Sequence, residues 1–181
     1  MKLKNQLSMV LILSLLITLF FSLVTPAYAE STPASYIFDI SEGDITVTAS
    51  GGNLCVTYGT PQVSTAAFAD SQEITIIGSS IQNKVIVNIG SKTANIRLKN
   101  TDIDFHSEDI CAFSIDEGTV NLSLEGANKL VSGGGNPGLR VPTTASLTVA
   151  GTGSLTATGA SYAAGIGGGN SADNGLSCSD C

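Results

Sequence analysis

The sequence predicts an all-β fold, a parallel β-solenoid of about 26 residues per coil, and three observations predict it. Apolar residues alternate with polar ones over runs of three to five residues, the period of a strand with one buried face. Whole blocks of three such runs recur, beginning at Val87, Phe113 and Leu139, 26 residues apart both times. Glycine or asparagine stands at equivalent corners, at Asn100, Gly126 and Gly151, where a sharp bend favours a positive φ. A block of this size cannot bury its own inward side chains. Stacked coils can, and strands at equivalent places then pair in parallel. A β-sandwich also alternates, but its strands do not align as 26-residue units.

Taken in order, the chain opens with an export signal. Lys2 and Lys4 precede an apolar run from Leu7 to Val24, and Ala27 and Ala29 supply the small residues of a cleavage site. Cleavage before Glu30 leaves residues 30–181, with six basic and 15 acidic residues, a formal charge of 6 − 15 = −9. That sign excludes nucleic acid and anionic lipid as natural partners. The expected location is secreted or at the cell surface, with no membrane contact once the signal is removed.

The solenoid is expected over residues 30–170, in four to five coils, the first two irregular. Phe38–Ala49 repeats the pattern of Phe113–Leu124, and Glu73–Gly78 matches a second strand. Within the regular coils, Val87/Ile89, Phe113/Ile115 and Leu139/Val141 form the first strands. Ile96/Leu98, Leu122/Leu124 and Leu147/Val149 form the second, and Ile103/Phe105, Leu130/Ser132 and Leu155/Ala157 the third. This alignment stacks Ile96, Leu122 and Leu147 in one column. After Asn170 no return strand follows, so residues 171–181 are expected to be a frayed or truncated tail, with the solenoid uncapped at that end.

The glycines of Leu147–Asn170 do not form a phosphate loop. Gly151 and Gly153 lack the third glycine, because Thr156 stands there, and Asn170 ends the Gly165–Gly167 pair in the same way. Four cysteines in an exported chain permit disulfides. Cys111 alternates with Phe113 and is expected inward, Cys55 outward, and Cys178 and Cys181 on the tail.

The polar cluster Lys99–Ile110 is the densest in the chain. With Ile103 and Phe105 inward, Asp102 and Asp104 share an outward face, and Glu108 and Asp109 follow. Asp102, Asp104 and Asp109 are candidate ligands for calcium, a hard cation that takes six to eight oxygens; the alternative is an exposed acidic turn. Arg97, Lys99, His106 and Glu108 make a candidate ligand face. Stacking by one coil sets Lys99 beside Glu125, which explains Lys99 as an ion pair. His106, the only histidine, has no nucleophile arranged around it.

The stretches Ile96–Asp104, Asn121–Gly133, Gly138–Gly159 and Ala163–Asn170 resemble the repeats of secreted right-handed parallel β-helix proteins of Gram-positive bacteria. The likeness spans Ile74–Asn170, and Phe38–Ala49 weakly. It implies a carbohydrate-binding or adhesin-like surface protein, a polysaccharide or surface glycan as partner, no required cofactor, and no catalysis. Some relatives resemble polysaccharide lyases in fold, so a calcium-dependent polyuronate lyase is the competing reading. A purely structural spacer is the third.

Overall fold

The computed structural model describes residues 36–59, 63–64 and 69–169. The expected signal peptide, the tail at 171–181 and its two cysteines lie outside the described residues. Among the described residues, no helix is long and apolar enough to cross a membrane.

Among the described residues, twelve strands follow one another: β1 (Tyr36–Asp39), β2 (Ile45–Ser50), β3 (Asn53–Tyr58), β4 (Val63–Ser64), β5 (Glu73–Ser80), β6 (Val85–Asp104), β7 (Phe113–Glu125), β8 (Ala127–Val131), β9 (Leu139–Arg140), β10 (Ala145–Gly151), β11 (Ser154–Thr158) and β12 (Ile166–Gly167). They wind into a parallel β-solenoid of about three turns. Three faces result. On face A, β2, the start of β6, the start of β7, β9 and β12 pair in parallel. On face B the order is β1, β5, the middle of β6, the end of β7 and β10. Face C carries the end of β5, the end of β6, β8 and β11.

Alternation decides what fills the interior. Val47, Val87 and Ile115 stack inward on face A, and Ile74, Ile96 and Leu122 on face B. Ile103 and Leu130 do so on face C, and all of these side chains are buried. The corners confirm the expected backbone: Asn100, Gly126 and Gly151 have φ of 51°, 70° and 110°. Gly118 stands at another close corner. Its φ is 114°, and a Cβ there would lie 2.3 Å from Cγ1 of Ile89 in the coil beneath, so glycine alone lets the two coils close up.

Four expectations need correction. First, Leu122 stacks on Val149, and Leu147 stacks on Val120; Leu155 likewise faces Asn128, with Ala157 on Leu130. The turn around Pro142, closed by an Ala145 N–H to Pro142 carbonyl bond of 3.0 Å, holds one residue more than its counterpart and moves the strand along. Alternation cannot detect this, because a shift by two residues keeps every side chain on the same face.

Second, Phe38 belongs to face B, opposite Ile76, and Ile45 to face A, opposite Val85. The Phe-x-Ile…Ile-x-Val pattern therefore sits one face away from its apparent match at Phe113. Third, four to five coils become about three turns, because the chain leaves the solenoid after β2. It forms an antiparallel hairpin with β3 across Gly51 and Gly52, and β4 pairs antiparallel with β3. Fourth, Cys111 does not point into the core. Ala112 takes the inward place, and the half-buried Cys111 thiol lies 3.3 Å from the carbonyls of Phe113 and Pro137. Cys55 is half-buried between the buried Leu54 and Val56, in keeping with its outward phase.

The column closes differently at its two described ends. Near β3 the inward Leu54 and Val56 are buried. On the last rung Leu147 and Leu155 are only half-buried, and Val149 is 44% exposed.

Candidate functional site

Two charged clusters and one groove contain the candidate side chains. On face B, strand alternation turns Thr75, Arg97 and Ser123 outward in one row across the rungs. Arg97 sits between two acids, its guanidinium 3.2 Å from Glu73 Oε2 and 3.2 Å from Glu125 Oε2. Lys99 completes the ladder, with its ammonium 2.7 Å from Glu125 Oε1, the cross-coil pair that stacking requires. The hydrogen bond to Glu73 raises the Arg97 pKa, and the bond from Lys99 lowers that of Glu125. Both cations of the ladder are therefore committed to carboxylates.

Face C carries the second cluster. Ile103 and Phe105 are buried, and Asp102 and Asp104 face outward as expected. Lys129, one coil on and in register with Asp102, reaches between them: its ammonium lies 2.6 Å from Asp104 Oδ2 and 3.7 Å from Asp102 Oδ1. His106 Nδ1 is 2.7 Å from Asp104 Oδ1, on a ring 74% exposed. Hydrogen bonds from Lys129 first, and His106 second, pull the Asp104 pKa from 3.8 to about 2, while Asp104 raises that of Lys129. Asp109 accepts from Asn136 Nδ2 at 2.9 Å, and Glu108 is exposed.

The expected residues thus divide. Arg97 and Lys99 lie on face B; Asp102 and Asp104 lie on face C, beyond the Asn100 corner; His106, Glu108 and Asp109 follow in the loop after β6. Among the described residues, no three His, Cys, Asp or Glu side chains come together in a group able to hold a metal ion.

The groove is what sequence reasoning saw only in part. Four outward residues share one row across consecutive rungs of face B: Glu73, Asn95, Asn121 and Thr148. With Ser71, Ser123 and Ala150 they line a shallow open groove of about 400 Å³. The signal for Asn95 and Asn121 lies in their spacing: they are 26 residues apart, and each directly precedes a core residue, Ile96 or Leu122. The amides are oriented in a chain: Asn121 Nδ2 donates to Asn95 Oδ1 at 3.0 Å, and Asn95 Nδ2 to the Asp70 carbonyl at 2.9 Å.

Other side chains have structural work. The Tyr58 hydroxyl accepts the Asp39 N–H at 3.1 Å and lies 2.8 Å from Glu42. Burial, then the Glu42 hydrogen bond, pushes its pKa up to about 12, and its ring meets Phe38 edge-on at 5.1 Å. Burial raises the Cys111 thiol, which keeps it protonated and a poor nucleophile. The chain matches no family model, no curated protein and no solved structure.

Proposed function

We propose that this chain is a secreted or cell-surface, non-catalytic β-solenoid that binds a polysaccharide or other surface glycan in the face B groove. One observation carries the reading: amides and hydroxyls from successive coils stand in a single outward row, at Asn95, Asn121 and Thr148. Amides donate and accept at once, which suits the paired hydroxyls of a sugar. Successive rungs are about 4.8 Å apart, close to the length of one pyranose unit.

The lyase reading is weaker on the same geometry. Its base would be Arg97, but Glu73 and Glu125 bind that guanidinium and raise its pKa, the opposite of what a proton acceptor at neutral pH requires. Its calcium would sit between Asp102 and Asp104, where Lys129 places an ammonium. Binding on this reading needs no cation, because the groove's polar atoms are amides, hydroxyls and one carboxylate.

A glycan array probed with the purified protein, with and without a calcium chelator, tests the proposal. Retention on polysaccharide that survives chelation is the expected result. Retention nowhere would leave a structural spacer. Ultraviolet-absorbing unsaturated products from a polyuronate, abolished by chelator or by Arg97→Ala, would establish the lyase instead.

A further inference from the structure

The charge around the groove selects the glycan. Three cations approach this part of face B, and each already has a carboxylate: Lys92 with Asp70 at 2.9 Å, Arg97 with Glu73 and Glu125, and Lys99 with Glu125 at 2.7 Å. The ladder Glu73–Arg97–Glu125–Lys99 sums to zero, two charges of each sign. Nothing in it is left to compensate an incoming anion, and the chain as a whole is acidic, with a formal charge of −7. A polyuronate or sulfated glycan brought into the groove would lose its hydration without gaining a counter-charge. The Glu73 carboxylate at one end of the row would repel it further.

Geometry sets the direction. The groove-lining row crosses four rungs, from Glu73 through Asn95 and Asn121 to Thr148, so it runs along the solenoid axis and across the strands. The amide chain from Asn121 through Asn95 to Asp70 spends one donor of each amide. Asn121 Oδ1 and Thr148 Oγ1 have no protein partner among the described residues, and both residues are exposed. The groove offers no aromatic ring among its lining residues, so hydrogen bonds rather than stacking must hold the sugar.

From these observations we infer that the groove takes an uncharged, unbranched polysaccharide strand laid along the solenoid axis, one sugar per rung. This inference rests on the glycan-binding reading above and narrows its ligand. Two consequences separate it from that broader reading. Affinity grows with oligosaccharide length up to about four sugars, one for each rung of the row, and then levels off. Affinity is also insensitive to salt, because no charge is exchanged.

Isothermal titration calorimetry of the purified protein tests this, with neutral β-linked gluco- and manno-oligosaccharides of two to eight units and with oligouronates of equal length. The expected result is binding of a neutral series that plateaus near four units and persists in high salt. Asn121→Ala should weaken it about five-fold or more, the loss of one hydrogen bond. Lys129→Ala on face C should leave it unchanged. A circular dichroism spectrum unchanged by Asn121→Ala keeps the comparison sound, since that side chain is exposed. Tighter binding of oligouronates, fading with salt, would overturn the inference while leaving glycan binding intact. Neutral binding indifferent to Asn121→Ala would overturn the assigned groove. Retention of no saccharide of either class would overturn the inference together with the reading beneath it.

Discussion

Asp104 shows how much one side chain can be read before its partners are known. Its outward phase follows from the buried Ile103 and Phe105 on either side, and that much is legible in the alternation. The match of Ile103 with Leu130 also sets Lys129 beside Asp102, but not that its ammonium turns to Asp104, two residues further along the strand. The consequence is measurable. The folded pKa near 2 lies below the ordinary 3.8, so the ionised carboxylate stabilises the fold above that ordinary value. The contribution fades as pH falls through about 2. Urea denaturation should show Asp104→Asn less stable than the parent by about 1 kcal/mol at pH 7, a figure kept small by solvent screening of a partly exposed pair. The difference should shrink steadily between about pH 4 and pH 2. A difference independent of pH would place the effect in packing instead.

At the scale of elements, the turn from face B to face C is held by a polar ladder that alternation does not announce. Thr101 is buried and donates its hydroxyl to the Ile76 carbonyl at 2.8 Å. Its N–H is received by Asn128 Oδ1 at 3.0 Å, and Asn128 Nδ2 donates onward to the Ser154 carbonyl at 3.1 Å. Four successive rungs are thereby tied at one corner, and Asn128 is nearly fully buried. In sequence Asn128 reads as a surface polar residue between Gly126 and Leu130, since an inward amide breaks the apolar rule it would be recognised by. Asn128→Ala strands a buried N–H and a carbonyl without partners. It should cost about 2–3 kcal/mol in urea unfolding, whereas Lys129→Ala next to it should cost about 1 kcal/mol or less. Equal losses at the two positions would contradict the ladder. The hairpin of β2 and β3 was equally hidden: Gly51 and Gly52 mark a turn, but nothing local says that the returning strand leaves the winding path of the chain.

For the whole molecule, the repeat carried the fold and the corners carried its register. Three alternating runs per block were enough to name stacked parallel coils, and the second-strand rows at Ile76, Leu98 and Leu124 stand as the pattern implies. The last coil slid by two residues because period-two alternation is blind to that step, and the Pro142 turn decides it. The groove depends on this same register, since only the observed pairing brings Thr148 beside Asn121. Nuclear Overhauser contacts between backbone protons of the labelled protein test the arrangement most directly. In-register parallel stacking predicts contacts linking Asn95 to Asn121 and Asn121 to Thr148, with Leu122 against Val149. Close α-proton pairs between β7 and β10, the mark of antiparallel neighbours, or contacts joining Leu122 to Leu147 as its rung partner, would contradict it.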